Sequence, residues 1–242
     1  MDVRIAELAN RQWGVVTNAD LIALGATRRQ IDARLAQGRL IRLHRGVYAF
    51  GHARLTPHGR WLAAVLGCGP GATLSHRSAA ALWGLRATPG GAIDVTIPRS
   101  GRNRRHGVLL HTSRRLMAED IAVVDGIPVT TPARTIVDLA DIEAQHRVRR
   151  AADQAERLNL HAPIVPIEGR RGIRSLVALE HERLGTQLTR SELEEAGLDV
   201  ARQANLPRPE VNAMVEGTEC DFVWRAQRLV LEIDGFAFHR TL

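Results

Sequence analysis

Residues 26–50 read ATRRQIDARLAQGRLIRLHRGVYAF, and this stretch decides the fold of the N-terminal segment. Thr27 is a favourable N-cap residue and Gly38 a favourable helix stop, so the pattern predicts a helix between them. Ile31 and Leu35 lie one helical turn apart and are expected to face a core. The opposite side of this helix is left to polar side chains.

A β-hairpin is expected directly after this helix. Leu40–Leu43 and Val47–Phe50 are short runs rich in the residue types that favour strands. His44-Arg45-Gly46 lies between them and supplies the glycine that a tight turn favours. The stretch therefore predicts one helix followed by two antiparallel strands.

Two further helices are expected before Thr27. The first covers about Val3–Gln12, and its apolar residues share one face. The second is capped by Thr17 or Asn18 and stops at Gly25. Three helices and a hairpin in this order predict a winged helix-turn-helix, a fold that places its recognition helix in the major groove of duplex DNA.

The polar face of the third helix favours DNA as the ligand. Arg29, Ala33 and Gln37 lie opposite Ile31; the alanine allows close approach, while arginine and glutamine can contact base edges or phosphates. The alternative is a small helical domain with a solvated arginine face. The residues that we expect to contact DNA, on the helix and on the hairpin, are Thr27, Arg28, Arg29, Gln30, Ala33, Arg34, Arg42, His44 and Arg45.

The charge of the chain is high and unevenly distributed. The net charge is +7, and all 33 Lys and Arg residues are arginine, which forks onto phosphate or guanine better than lysine does. Residues 1–57 carry nine arginines against four acids, whereas residues 187–242 carry six against ten. A basic N-terminal segment and an acidic C-terminal segment predict two separate roles, with polyanion binding by the N-terminal segment.

Two bulk features indicate a cytoplasmic protein without a membrane partner. No apolar run approaches the roughly 20 residues needed to span a bilayer, and the first residues lack the apolar core of a signal peptide. Cys68 and Cys220 are the only cysteines, and we expect both to be unbridged thiols.

The middle segment, residues 56–186, is expected to be a mixed α/β domain. Thr56-Pro57 and Thr131-Pro132 each combine a cap residue with a proline at the first helical position. Ile93–Ile97 and Val108–His111 have the composition of strands. We therefore expect helices and strands to alternate here around one core.

A run without acids lies beside these two strands. Arg99–Arg115 contains six arginines and two histidines. It is interpreted first as a solvated loop. The alternatives are a second contact to the DNA backbone and a docking surface for an acidic partner.

The N-terminal and middle segments resemble AbiEi-family antitoxins. The similarity lies in Asp20–Ile31, in Gly38–Ala49, which contains the hairpin, in Leu74–Leu85 and in Gly126–Ala140. It covers about the first 140 residues. The resemblance implies the antitoxin half of a type IV toxin–antitoxin system, a repressor of its own operon, with duplex DNA and a cognate toxin as partners.

The last segment, residues 187–242, predicts a helix followed by three strands. The helix runs from about Thr189 to Ala204, and the strands are Glu210–Val215, Glu219–Trp224 and Arg228–Ile233. Acids on neighbouring strands can converge on one point, where a divalent cation such as Mg²⁺ activates water. The acids and the histidine that form this pattern are Glu192, Asp221, Glu232, Asp234 and His239.

In this pattern Asp221 and Glu232 would bind Mg²⁺, Glu192 would hold a metal-bound water, and His239 would orient or deprotonate the attacking water. Each acid taken singly is a surface residue. The segment resembles the DUF559 domain, a relative of very-short-patch-repair endonucleases with a PD-(D/E)xK nuclease-like fold. The similarity lies in residues 189–194, 206–212, 220–224 and 229–239.

Two departures from that family lead us to expect a weak or inactive nuclease. Asp234 stands where the broader superfamily has lysine, and the family continues beyond Leu242 into a basic helix and another strand. The expected architecture is thus α+β and multidomain: a winged helix-turn-helix at 1–55, a central α/β domain at 56–186 and a partial restriction-endonuclease-like domain at 187–242.

Three functions remain open in this order. The first is a DNA-binding transcriptional regulator of antitoxin type, which needs no cofactor. The second is a Mg²⁺-dependent endonuclease targeted by the winged helix. The third is an interaction protein whose acidic tail binds a toxin.

Overall fold

The chain forms two compact units, Met1–Leu176 and Val177–Leu242. The computed structural model describes residues 1–98, 105–113, 116–160, 172, 176–177, 190–204, 206–215 and 217–231, with the backbone alone for 190–196. Both units mix helices and antiparallel strands, so the expectation of a multidomain α+β protein is met at this level.

The first unit begins with three helices and a three-stranded antiparallel sheet. Its elements are α1 (Asp2–Arg11), β1 (Val15–Thr17), α2 (Asn18–Ala23), α3 (Arg28–Ala36), β2 (Leu40–His44) and β3 (Val47–Phe50). The sheet order is β1-β3-β2, with β3 in the centre. The core contains Ile5, Leu21, Ile31, Leu40 and Tyr48. The three expected helices and the hairpin are all present.

A second sheet of five strands completes the first unit. Its elements are α4 (Pro57–Cys68), β4 (Thr73–Leu74), α5 (His76–Leu82), β5 (Ile93–Ile97), β6 (Val108–Thr112), β7 (Ile121–Val124), β8 (Ile127–Thr130), α6 (Pro132–Ala140) and α7 (Gln145–Arg157). The strand order is β6-β5-β4-β8-β7, and the parallel pairs are β5 with β6 and β4 with β8. Both expected Thr-Pro helix starts are confirmed, at Thr56 and Thr131.

The two sheets of the first unit both contribute to a second hydrophobic cluster. Val15 from β1 and Val47 from β3 belong to the same buried cluster as Trp61 and Leu62 of α4 and Leu74 of β4. Residues on both sides of the expected boundary between 55 and 56 thus meet in one cluster, and the boundary itself stays a prediction. They meet because the buried face of α4 packs against both sheets.

A buried arginine joins three parts of the central sheet region. Arg134 of α6 is 3% exposed. Its guanidinium donates to Asp138 at 2.9 Å, to Asp120 at 2.6 Å and to the Ser113 hydroxyl at 3.2 Å. Because Asp138 is also buried, the pair compensates two charges that would be costly alone.

A second carboxylate is surrounded by guanidinium groups. Glu143 accepts hydrogen bonds from Arg77 at 2.7 Å and from Arg86 and Arg147 at 3.0 Å, and its side chain is only 5% exposed. Burial by itself would raise the pKa of Glu143. The three hydrogen bonds outweigh that effect and hold its pKa at about 2.

This arrangement predicts acid sensitivity of the first unit. A depressed carboxylate pKa stabilises the folded state above the unfolded value near 4.5, and this contribution is lost as the pH falls toward 2. We expect Glu143→Gln to lower the free energy of unfolding at pH 7 by on the order of 2 kcal/mol. Urea unfolding at pH 7, 4.5 and 3, followed by tryptophan fluorescence, measures this. The difference between wild type and variant should shrink as the pH falls below 4.5; a constant difference would contradict the prediction.

The second unit contains one helix and a three-stranded antiparallel sheet in its described part. The elements are α8 (Arg190–Gln203), β9 (Glu210–Val215), β10 (Thr218–Trp224) and β11 (Leu229–Leu231), in the sheet order β11-β10-β9. Phe222 and Trp224 pack with Ala201 of α8, and the Trp224 indole donates to the Pro207 carbonyl at 2.6 Å. The expected helix and strands are present, although the predicted end of the third strand, up to Ile233, lies outside the described residues.

Two bulk expectations can be compared with the described residues. Cys68 and Cys220 are free thiols, as expected. None of the described helices is both long enough and apolar enough to cross a bilayer.

Candidate nucleic-acid interface

The start of α3 is fixed by a reciprocal cap. The Thr27 hydroxyl accepts from the Gln30 backbone N–H at 3.3 Å, and the Gln30 side chain accepts from the Thr27 N–H at 3.0 Å. This capping box satisfies two backbone donors that would otherwise lack partners. Both residues were expected to contact DNA, but the structure uses these polar groups to begin the helix.

The outer face of α3 is open. Ile31 is buried, whereas Arg28, Arg29, Ala33 and Gln37 are exposed. Neither Arg28 nor Arg29 forms an ion pair within the part of the chain that the structure describes. The expected orientation of the helix, with Ile31 inward and the arginines outward, is therefore observed.

Arg34 was expected to contact DNA, but in the structure its guanidinium forms an ion pair within the protein. Its guanidinium lies on the Asp2 carboxylate, with the shortest distance 2.7 Å, and it also donates to the Gln30 carbonyl. Arg39 contacts the same carboxylate at 2.5 Å. The hydrogen bond from Arg34 is the largest cause that lowers the pKa of Asp2; burial opposes it, and the hydrogen bond from Arg39 lowers the pKa further. Arg34 thus joins α3 to the start of α1.

Two arginines of the hairpin are exposed. Arg42 lies on β2, and Arg45 occupies the two-residue turn to β3. Gly46 completes this turn with a φ of +74°, a conformation that favours glycine. The Gly46 carbonyl accepts from the Asn18 N–H at 2.8 Å, so the turn is held against the start of α2.

His44 was expected to contact a phosphate, but its side chain faces the protein. It is half-buried and packs on α4, where a Cβ on Gly67 would lie 2.7 Å from its ring. Burial lowers the pKa of His44, and the positive charges of Arg105 and His106 lower it further. The neutral ring is therefore a packing residue. Arg105 and His106, from the basic run at 99–115, therefore lie near the turn end of the hairpin.

The nuclease-like residues are only partly described. Asp221 lies on β10 and is half-buried, and Glu192 lies on α8 with its side chain outside the described part. Glu232, Asp234 and His239 fall outside the described residues. Among the residues that are described, no group of three His, Cys, Asp or Glu side chains could hold a metal ion. The proposed acid set stays a prediction.

One strand and one ion pair of this region were not predicted from the sequence. β1 pairs with β3 from Val15 to Thr17, and its β-branched residues were a signal that could have found it. The contact between Asp2 and Arg34 had no such signal, because 32 residues separate them. The sequence run therefore predicted the helix but not which of its arginines remain free.

These features together define the class of the chain. It is a multidomain α+β protein whose first unit exposes Arg28, Arg29, Arg42 and Arg45 on a helix and an adjoining hairpin. Such guanidinium groups can bind phosphates or base edges of nucleic acids.

Comparison with protein families narrows this class. Residues 3–51 match the family model of a transcriptional regulator, AbiEi antitoxin. Residues 67–181 match the model of the AbiEi antitoxin C-terminal domain. The two matches, in this order along one chain, support an AbiEi-family antitoxin, which agrees with the resemblance seen in the sequence.

Two relatives and one solved structure are also similar to this chain. The chain is 28% identical to the uncharacterized proteins MT2308 and Rv2248 of two strains of Mycobacterium tuberculosis, over 88% of this chain and 80% of theirs. The crystal structure of the RV2827C protein from Mycobacterium tuberculosis is 19% identical, covers 73% of this chain and 74% of that one, and superposes with a TM-score of 0.41.

Proposed function

We propose that this protein is a transcriptional regulator of AbiEi antitoxin type that binds duplex DNA through a winged helix-turn-helix in residues 1–55. In this proposal α3 enters the major groove and the β2–β3 hairpin is the wing. The observation that carries the proposal is that the guanidinium groups of Arg28 and Arg29 at the start of α3 are exposed and form no ion pair with any residue that the structure describes. Recognition helices contact base edges with such N-terminal residues.

Each exposed residue has a role in this proposal. Arg29 and Gln37 reach base edges, Ala33 allows close approach of the helix, and Arg28 binds either a base or a phosphate. Arg42 and Arg45 of the wing bind phosphates. Arg34 and His44 act indirectly, because they hold α3 and the hairpin in place.

The other partner is a cognate toxin, and we place the protein in the cytoplasm. The acidic second unit is accessory to DNA binding in this proposal. Neither family match extends beyond residue 181, and the endonuclease alternative draws no support from the comparisons.

DNA binding is tested on the duplex upstream of the protein's own gene. Fluorescence anisotropy should show saturable binding whose affinity falls with salt, because bound arginines release counterions. Phosphate contacts from Arg42 and Arg45, or from these two and Arg28, predict a slope of about −2 to −3 in log K against log salt, or roughly a ten- to fortyfold loss between 50 and 200 mM. An affinity that does not change with salt concentration would contradict the proposal. Incubation of the protein with supercoiled plasmid and Mg²⁺ tests the nuclease alternative. Conversion of the plasmid to the nicked form would support that alternative.

A further inference from the structure

A cleft of about 680 Å³ lies in the first unit between the segment after α5 and helix α7. Its apolar floor contains Leu85, Leu139 and Ala151, each no more than 5% exposed. Gly84 and Ala87 form part of one wall and leave space because their side chains are small or absent. The cleft thus has an apolar floor and is open to solvent on one side.

One face of α7 lines this cleft with polar side chains. Arg147, Arg150, Gln154 and Arg157 are separated by three, four and three residues, the spacing of one side of a helix. The buried side of the same helix carries alanines and one valine, which hold it against α6. The arginine row is therefore fixed in place by packing on the opposite side.

The cleft is positively charged. It is lined by four arginines, Arg86, Arg147, Arg150 and Arg157, against the two acids Glu143 and Asp153. Glu143 is already compensated by Arg77, Arg86 and Arg147. Arg150 and Arg157 are exposed and make no ion pair within the described residues. These two guanidinium groups are available to an anion.

We propose that this cleft binds a phosphorylated small molecule of nucleotide size. Its volume lies within the roughly 300–1,000 Å³ of small-molecule sites. Guanidinium groups pair with phosphate through two parallel hydrogen bonds, so Arg150 and Arg157 bind the phosphates. The floor around Leu85 and Ala151 receives the planar base, on which Arg147 can stack. This site is separate from α3 and does not rest on the DNA-binding proposal.

The test is isothermal titration of the full chain with ATP, GTP, adenosine and inorganic pyrophosphate. At least one nucleotide should bind with a micromolar Kd, at least tenfold more tightly than adenosine or pyrophosphate alone. The double variant Arg150→Ala/Arg157→Ala should weaken that binding tenfold or more, because it removes both groups that bind the phosphates. Both side chains are exposed, so we expect the variant to fold as wild type does. Ala87→Trp, which fills the cleft, should weaken it as well. The matched control Arg208→Ala/Arg228→Ala removes the same charge from the second unit and should leave nucleotide binding unchanged.

Three results would overturn this proposal. The first is that neither nucleotide binds below millimolar concentration. The second is that the Arg150/Arg157 and Ala87 variants bind as wild type does. The third is that pyrophosphate binds as tightly as the nucleotides, which would leave the apolar floor without a role. If the wild-type protein binds no nucleotide and the Arg150/Arg157 variant loses DNA affinity, this row of arginines instead binds nucleic acid.

Discussion

Replacing Arg28 and Arg29 together with alanine is expected to weaken binding to the upstream duplex by about two orders of magnitude. Both side chains are exposed at the first turn of α3 and neither is tied to a carboxylate within the described residues. A well-placed arginine contact to a base contributes about 1–3 kcal/mol, and two such losses give this range. Anisotropy titrations of wild type and variant at one fixed salt concentration measure the change.

Matched variants separate this effect from a general loss of charge. Arg208→Ala/Arg228→Ala removes two exposed arginines of the second unit and should change the affinity less than threefold. Arg28→Lys/Arg29→Lys keeps the charge but loses the planar fork, so its affinity should fall between wild type and the alanine variant. If the Arg28/Arg29 and Arg208/Arg228 alanine pairs weaken binding equally, α3 is not the recognition helix.

Salt dependence identifies what each arginine contacts. An arginine on a phosphate contributes about one unit to the slope of log K against log salt, and its loss weakens binding to all sequences alike. An arginine on a base instead relaxes the preference at one position of the site. Single variants at Arg28 and Arg29, titrated on the upstream duplex and on an unrelated one, distinguish these two roles.

Replacing Arg134 with methionine is expected to destabilise the first unit by about 3–5 kcal/mol, because it leaves the buried Asp138 carboxylate without its counter-charge. The same change releases Asp120 and Ser113, which the guanidinium holds beside α6. Chemical unfolding followed by tryptophan fluorescence, to which the buried Trp61 of the first unit contributes, measures the loss; Trp224→Phe in both proteins removes the signal of the second unit. Arg39→Met is the control: that arginine is 61% exposed in its ion pair, and its loss should cost less than about 1 kcal/mol.

A second variant tests the cause of this loss. Arg134→Met combined with Asp138→Asn removes both charges, so the double variant should be more stable than Arg134→Met alone. A double variant that is less stable than the single one would show that the geometry of the hydrogen bonds, rather than an isolated charge, decides the stability here.

Much of the local structure followed from short sequence patterns. The pairs Thr56-Pro57 and Thr131-Pro132 begin helices because a side-chain oxygen caps the backbone and proline needs no donor there. The α3 helix begins at the expected cap and presents Ile31 inward, since its apolar residues recur at the helical period. Such interactions extend over three or four residues, so the sequence contains them directly.

Ile22 shows what such local patterns leave open. Leu21 and Ile22 are adjacent apolar residues of the second helix, yet Leu21 is fully buried and Ile22 is 56% exposed. The helix is only six residues long, so its rotation is set by the strands against which it packs rather than by its own pattern.

By itself, the sequence determined where the helices and hairpin of the N-terminal segment lie and on which side of α3 the positive charge concentrates. Only the tertiary structure decided which of those charges remain free: Asp2 binds Arg34, and Gly67 gives His44 a place on α4. The physical reason is range. Caps, turns and helical periodicity act between near neighbours along the chain, whereas an ion pair or a packing contact depends on where the fold brings distant residues together.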